Sequence, residues 1–522
     1  MDSQVDPQEP VLALLGDPAT HGGQAVKRID THAASVFLAG ERAFKVKRAV
    51  RFPFLDFSTL AKRKAACEAE IAINRAFAPE IYRRVVAITR AADGALELGG
   101  AGEPVEWAVK MRRFDEALTL DHLAVRGRID AALADTLGRI VAVAHDRAAP
   151  VEPGPWIDAL GAYIREHVVE LGKAPDLFPA AEVDALGRSS QAVYARIHPL
   201  MIERGRRGLI RRIHGDLHLG NIALIAGAPI LFDAIEFSPL IGSGDVLYDL
   251  AFLLMDLVER GLPDAANIVL NRYLAQTRRP EDLDALAALP FYLSMRAAIR
   301  AKVTAERRER AAAAAQAEIG ESARRYFDLA RRAIEPASPV MAATGGRSGT
   351  GKSALARALS PQLSPMPGAV VLRSDAERKV LFGKDEDAKL PPAAYAAEVT
   401  LQVYAVIADK ARRVVAAGHS AILDAVFGQP SERDLAEGSA AVLGVPFHGF
   451  FLEAPLATRL DRVGTRGRDA SDADATVVRA QESYDLGPLT WTRVDASRTP
   501  DDTLRQARAH LPASKPTGSA SS

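Results

Sequence analysis

The sequence predicts a bilobal α+β domain followed by an α/β domain built on a parallel sheet. Three observations carry that reading. Between Val36 and Ala117 short β-like runs surround one helical segment; from Asp130 to Ile334 the hydrophobic period turns helical; beyond Pro339 strand-like and helical runs alternate. A length of 522 residues exceeds one ordinary core and implies about three compact units. With 48% hydrophobic and 25% charged residues the chain can fill those cores, which excludes a wholly disordered protein.

Residues 1–30 read as an N-terminal extension, partly flexible. The small lobe spans 31–117, with strands at Val36–Leu38, Ala43–Val46, Val85–Ile88 and Trp107–Met111. Its helix runs from Thr59 to Phe77, has Ile71 and Ile73 on its apolar side and stops before Pro79. The large lobe, 118–334, contains helical segments such as Ala132–His145 and one long exposed helix, Arg296–Ile334, with Glu306 and Arg310 at i,i+4. A compact β-like insert, Ile222–Phe232, interrupts it. Pro336 and Pro339 make 335–339 a linker. In the last domain, 340–511, strands at Val340–Thr344, Val370–Leu372, Ala421–Leu423 and Phe447–Leu452 alternate with helices at Ser353–Leu359, Tyr395–Ala417 and Glu432–Leu443. That alternation predicts βαβ units and a parallel sheet. The Ser/Pro/Gly-rich tail, 512–522, is expected to be disordered.

Sixty-six basic residues balance 66 acidic ones, which argues against a dedicated nucleic-acid or anionic-membrane binder. A single cysteine, Cys67, excludes an internal disulfide and fits a reducing compartment. The first residues, Met1–Asp6, lack the pattern of a secretory signal. The most apolar segment, Val246–Val258, is interrupted by Asp249 and Asp256 and is shorter than the ~20 residues of a membrane span. The expected location is cytoplasmic.

Gly346-Arg347-Ser348-Gly349-Thr350-Gly351-Lys352-Ser353 fits the Walker A pattern G-x-x-x-x-G-K-[ST], between an apolar strand and an Ala/Leu-rich helix. The glycines let backbone N–H groups turn towards phosphate oxygens, and the helix N-terminus adds a favourable dipole. Lys352 reaches the β/γ-phosphates in such a loop and the Ser353 hydroxyl ligates Mg²⁺. The pattern in this context predicts an α/β P-loop NTPase domain. No N-K-x-D follows the loop, so ATP is expected over GTP. From Val340 to Leu511 the chain resembles the small P-loop kinases that include gluconate kinases, shikimate-kinase-like enzymes and zeta toxins. That resemblance implies that Asp375 prepares the acceptor hydroxyl, that Arg378 and Lys379 meet the substrate, and that Asp424 is the Walker B acid at Mg²⁺. It places Arg459, Arg462, Arg466 and Arg468 in a mobile lid, with Arg462 and Arg466 on the nucleotide.

Upstream, His214-Gly215-Asp216-Leu217-His218-Leu219-Gly220-Asn221 has the H-x-D-x-x-x-x-N spacing of a kinase catalytic loop. In that chemistry the Asp takes the acceptor proton and the Asn holds Mg²⁺. Arms of nearly equal length, Ile222–Ile225 and Ile230–Phe232, flank a turn at 226–229 and return Asp233 to the end where Asn221 sits. These residues resemble the aminoglycoside phosphotransferase family, small-molecule members of the protein-kinase-like fold, over Val36–Ala330. The likeness implies Asp216 as the base, Asn221 and Asp233 at Mg²⁺, Lys45 on the α/β-phosphates with Lys47 open as an alternative, and Glu70, or else Glu68, as the lysine's partner. Glu236 either adds to the metal site or pairs with an arginine. No G-x-G-x-x-G precedes Lys45, Ala234-Ile235 follows Asp233, and an A-P-E segment is missing, so a small-molecule kinase is expected over a regulated protein kinase.

The order of the two motifs resembles a bifunctional family, aminoglycoside phosphotransferase-like and ATP-binding, across nearly the whole chain. It implies two ATP·Mg²⁺-dependent phosphotransferase domains acting on small-molecule hydroxyls, with both acceptors open. Two alternatives stay beside it: one domain senses nucleotide and regulates the other, or the P-loop domain is a zeta-toxin-like nucleotide-sugar kinase. No membrane or nucleic-acid partner is expected.

Overall fold

The computed structural model describes residues 8–52, 55–465 and 470–511. The expectations for the 512–522 tail and for Arg466 and Arg468 lie outside the described residues. Two compact units form, one from residues 1–163 with 198–256 and the other from 164–197 with 257–522.

In the first unit, residues that the sequence places in an N-terminal extension are built into the fold. Helix α1 (Glu9–Gly16) buries Val11, Leu12 and Leu15 against Phe37, Phe44 and Ile88. Six strands, β1 (Val26–Asp30), β2 (Ala34–Ala39), β3 (Arg42–Lys47), β4 (Tyr82–Arg90), β5 (Leu96–Leu98) and β6 (Glu103–Arg112), form an antiparallel sheet in the order β1-β2-β3-β6-β4-β5. Period-two alternation sends Phe44 and Val46 of β3 into the α1 cluster and leaves Lys45 and Lys47 on the other face. That face meets α2 (Leu60–Asn74), capped by the Thr59 hydroxyl on the Lys62 N–H at 3.3 Å. Cys67 and Ile71 of α2 pack with Tyr82 and Val109.

Helix α3 (Ala131–Arg147) and the apolar helix α4 (Val246–Glu259) support the catalytic-loop region. Between them, β7 (Ile222–Ile225) and β8 (Ala228–Leu231) make the expected hairpin, in register from Ile222↔Leu231 to Ile225↔Ala228. Its two-residue turn, Ala226-Gly227, has positive φ at both positions (50° and 81°), the geometry that matches strand twist.

The second unit carries α5 (Pro263–Thr277) and then α6 (Leu289–Arg310) and α7 (Ala313–Ile334). The single helix expected over Arg296–Ile334 is therefore two helices. Ala311 and Ala312 turn extended (ψ 154° and 145°), and the break carries no Gly or Pro signal. The fold-back buries both alanine-rich faces, Ala297, Ala298 and Ala301 on α6 and Ala323 and Ala330 on α7; tertiary burial overrides helix propensity here.

Beyond α7 come β9 (Met341–Gly346), α8 (Lys352–Leu359), β10 (Val370–Arg373), α9 (Ser374–Leu381), α10 (Ala397–Ala416), β11 (Ala421–Asp424), α11 (Pro430–Leu443), β12 (Phe447–Glu453) and β13 (Thr492–Asp495). The sheet is parallel throughout, in the order β10-β11-β9-β12-β13. Ala342, Ile422 and Phe450 of its inner strands pack with Leu355 and Leu359 of α8. The phosphate loop thus leaves the C-terminal end of the central strand, where ligands of open α/β sheets bind.

Candidate active sites

In the first unit, β3 and α2 assemble an ion cluster. Glu70, fully buried, lies with Oε1 2.9 Å from Lys45 Nζ and Oε2 2.5 Å from Lys47 Nζ. Lys45 also reaches Asp233 Oδ1 at 2.6 Å. Lys47 instead pairs with Glu236, so Glu236 meets a lysine where the sequence reading offered the metal site or an arginine. Of the two lysines, Lys45 is therefore the one beside Asp233. Glu68 points away from the cluster and meets Lys64 at 3.8 Å.

Electrostatics keep the cluster charged. Burial pulls the Lys45 ammonium down, but Asp233 and Glu70 outweigh it and hold the group well above its usual range. Burial pushes the Asp233 carboxyl up, and Lys45 reverses this, holding it below the usual value. Glu70 is likewise pushed up by burial and brought below its usual value by Lys45 and Lys47.

The loop of residues 214–221 closes the site. Asn221 Nδ2 donates to Asp216 Oδ2 at 2.9 Å and to the Asp216 carbonyl at 3.0 Å. The Phe232 N–H donates to the Asn221 carbonyl at 2.9 Å, so the hairpin returns Asp233 to the end that holds Asn221. Asp233 has φ 63°, in the left-handed region that costs a non-glycine residue about 1 kcal/mol or more. Its N–H donates to Tyr82 Oη at 3.1 Å, and Asn74 at the end of α2 grips Ala234 on both backbone groups (2.7 and 3.1 Å). His214 is buried, which holds its imidazole below the ordinary range; Nε2 meets the Phe232 carbonyl at 2.9 Å.

Sequence reasoning missed the groups that anchor this loop. Asp249 accepts the His214 and Gly215 N–H groups at 3.0 and 2.9 Å and meets His145 Nε2 of α3 at 3.2 Å. Asp256 accepts the Leu219 N–H at 2.9 Å. Seven positions apart on α4, the two acids share a helix face and pin both ends of the loop. The signal was present: these are the acids that interrupt the most apolar stretch of the chain, and a buried carboxylate needs hydrogen-bond donors.

In the second unit, the loop after β9 turns through positive φ at Gly346, Gly349 and Gly351. A Cβ at Gly349 would lie 2.6 Å from the Arg459 carbonyl oxygen, and one at Gly346 equally close to the Leu452 carbonyl oxygen. Lys352 at the start of α8 donates to the Arg347 carbonyl at 3.2 Å, and Ser353 Oγ donates to Asp424 Oδ2 at 2.5 Å. The register Thr344↔Asp424 between β9 and β11 brings Asp424 to the loop. Asp375 in the first turn of α9 has its carboxyl pushed up by burial; Lys352 opposes this and Asp424 adds to it. Lys352, Ser353, Asp375, Arg378, Asp424 and Arg462 line one cavity of about 1080 Å³.

Two expected ligand contacts are spent inside the protein. Lys379 is buried, bound to Asp472 Oδ1 at 2.7 Å and to the Ala388 carbonyl, so it is not free to meet a substrate. Arg459 is buried under the loop and ion-paired with Glu482; its backbone walls Gly349. Arg462 lies at the cavity, donating to the Thr350 and Arg498 carbonyls at 3.4 and 3.0 Å. Gln481, which no motif flagged, accepts the Ser348 N–H at 2.6 Å. Oxygen donors at both centres, Asn221 with Asp233 and Ser353 with Asp424, fit Mg²⁺, a hard cation that takes few protein ligands beside phosphate oxygens.

Comparison with known proteins finds two families along the chain. Residues 34–289 match the phosphotransferase enzyme family and residues 341–485 match the AAA domain family. The uncharacterized proteins Rv2004c of Mycobacterium tuberculosis (strain ATCC 25618 / H37Rv) and Mb2027c of Mycobacterium bovis are each 30% identical over 490 residues, 92% of this chain and 94% of theirs. The chain belongs to their family. This chain carries two kinase-like domains, one in each matched region. Among solved structures, a choline/ethanolamine kinase family protein from Mesorhizobium loti aligns over 63% of this chain and 99% of its own at 14% identity and a TM-score of 0.37. A gluconokinase from Sinorhizobium meliloti 1021 aligns over 33% of this chain and 90% of its own at 19% identity and a TM-score of 0.25. Among the described residues, no helix is long and apolar enough to cross a membrane.

Proposed function

We propose that both domains transfer the γ-phosphate of ATP to hydroxyl groups of small molecules, with the linker at 335–339 separating a phosphotransferase domain over 31–334 from a P-loop kinase domain over 340–511. The observation that carries this reading is the convergence of Lys45, Glu70 and Asp233, from three distant stretches, beside a loop whose Asp216 and Asn221 are already hydrogen-bonded. Magnesium, bound with the nucleotide, neutralises charge on the phosphate oxygens. Asn221 and Asp233 would hold it in the first domain, Ser353 and Asp424 in the second.

In the first domain Lys45, kept cationic by Glu70 and Asp233, binds the α/β-phosphates, and Asp216 takes the proton of the acceptor hydroxyl as the acceptor oxygen bonds to phosphorus and ADP leaves. In the second, backbone N–H groups of 346–353 and Lys352 cradle the phosphates, Asp375 takes the acceptor proton, and Arg462 offsets charge on the transferred group. Positioning and electrostatic stabilisation supply most of the rate in this chemistry. Cys67, buried and with its thiol pushed up by burial to about 12, fits a reducing cytoplasmic setting.

The test is transfer from labelled ATP to a panel of metabolite hydroxyl compounds by wild type, Asp216→Asn and Lys352→Ala. Each substitution is expected to remove transfer to its own acceptors, by about 100-fold or more for the base. If neither lowers transfer to any acceptor, the two-kinase reading fails.

A further inference from the structure

Strand β10 is the outer strand of the P-loop sheet, and its open edge is occupied by side chains of α5. Asn271 Oδ1 accepts the Val371 N–H at 2.7 Å and its Nδ2 donates to the Ala369 carbonyl at 3.1 Å. Asn267, itself buried, donates to the same carbonyl at 3.0 Å and accepts from Ser360 Oγ at 2.6 Å. Two amides thus supply what a neighbouring strand would supply, and they hold the strand that ends in Arg373.

The next residue of α5 begins a chain of charges. Arg272 Nη1 lies 2.5 Å from Glu386 Oε2. Glu386 Oε1 lies 3.7 Å from Arg373 Nη1, and Arg373 Nε lies 3.4 Å from Asp424 Oδ2, the oxygen that accepts from Ser353. Arg373 therefore stands between two carboxylates, Glu386 and the Walker B acid. Asp424 is almost fully buried and the other three residues are partly buried, so these interactions are less screened than surface pairs.

We propose that Arg272 and Glu386 are positioning residues for the magnesium centre of the P-loop, an ion-pair relay that sets how strongly Arg373 screens Asp424. The proposal rests on reading the loop 346–353 as a nucleotide·Mg²⁺ site. Its sign follows from the geometry. Arg272 offsets Glu386 and leaves Arg373 with Asp424, where the guanidinium competes with a divalent cation. Without Arg272, Glu386 draws Arg373 away and Asp424 binds Mg²⁺ more tightly. Without Glu386, Arg373 settles on Asp424 and Mg²⁺ binds more weakly. In such a relay the effect of Arg272 on the metal passes through Glu386, so the double variant behaves as the Glu386 variant.

The experiment uses the full chain with Asp233→Asn, which removes the charged one of the two metal ligands proposed for the first domain, and measures ADP binding by calorimetry across a Mg²⁺ titration. Arg272→Met is expected to lower the half-saturating Mg²⁺ concentration roughly threefold or more, and Glu386→Gln to raise it by a similar factor. Arg272→Met/Glu386→Gln should match Glu386→Gln, and Arg272→Lys, which keeps the charge, should match the parent. An unchanged Mg²⁺ requirement in Arg272→Met, or effects of the two substitutions that simply add, overturns the relay. Lys352→Ala in the same parent must remove one ADP equivalent from the calorimetric stoichiometry; if the number of bound ADP is unchanged, it is the nucleotide reading of the P-loop that fails.

Discussion

The two phosphate sites are built from opposite materials. In the first unit Lys45 and Asp233 stand 188 positions apart in sequence and 2.6 Å apart in space, and the site is a cluster of side-chain charges. In the second, eight consecutive residues form the cradle, and their backbone angles matter more than their side chains. A charge cluster is interdependent: each member keeps the others ionised. A glycine loop is sterically brittle, because its geometry is available only where no Cβ intervenes.

The difference predicts what breaks each site. Glu70→Gln should be the most damaging single change in the first unit, because it leaves two lysines clustered with one fewer negative charge in a buried place. Removing one partner of a buried pair costs about 3–5 kcal/mol, so urea unfolding should report a loss of that order together with loss of nucleotide binding. Glu70→Gln/Lys47→Met, which removes one charge of each sign, should recover part of that stability. A Glu70→Gln protein as stable as wild type would show that the cluster is not interdependent.

In the P-loop the matching experiment adds a methyl group. Gly349→Ala places Cβ 2.6 Å from the Arg459 backbone oxygen at φ +84°, whereas Gly351→Ala meets nothing within 4 Å at φ +96°. Both pay about 1–2 kcal/mol for the left-handed backbone, and only the first must also displace backbone. ADP affinity measured by calorimetry should therefore fall about 30-fold or more for Gly349→Ala and roughly tenfold for Gly351→Ala. Equal losses would remove the contact with Arg459 as the reason for Gly349.

Asp249→Asn tests the anchoring of the catalytic loop. Its carboxylate accepts two backbone N–H groups on separate oxygens, and an amide offers a single acceptor oxygen. One buried N–H is left unsatisfied, at a cost of about 1–3 kcal/mol. The expected result is a kcat for the first domain lowered about tenfold or more with KM for ATP little changed, since Lys45 and Asp233 do not depend on Asp249. A change confined to KM would place Asp249 at the nucleotide instead.

The same contrast explains what the residues alone reveal. The P-loop is legible because its chemistry is contiguous: glycines, lysine and serine stand in fixed order, and an apolar strand precedes them. The hairpin between Asn221 and Asp233 was legible because equal arms and a short turn fix where its ends meet. The choice between Lys45 and Lys47 was not, since both face the same side of β3 and only the positions of Asp233 and Glu236 separate them. Lys379 and Arg459 read as ligand contacts because a cation near a phosphate motif looks available; their consumption by Asp472 and Glu482 depends on segments 93 and 23 residues away. The break at Ala311-Ala312 left no local trace, because burial of two alanine faces, and no turn residue, decides it.

The smallest expected effect concerns acid. Asp233 is held below its ordinary value, chiefly by Lys45 working against burial, so the first site keeps its charges as pH falls. Asp375 moves the other way: burial raises it above its ordinary value of 3.8, and a base must be ionised to take a proton. Phosphate transfer by the P-loop domain should therefore decline on the acid side at a higher pH than an ordinary carboxylate would set. Ser471 donates a hydrogen bond that favours the ionised Asp375, so Ser471→Ala should move that decline further upward. On that limb the rate should fall by about fivefold or less, the equivalent of one hydrogen bond of ~1 kcal/mol, and should match wild type on the alkaline plateau. A loss equal at every pH would mean that Ser471 acts on something other than the protonation of Asp375.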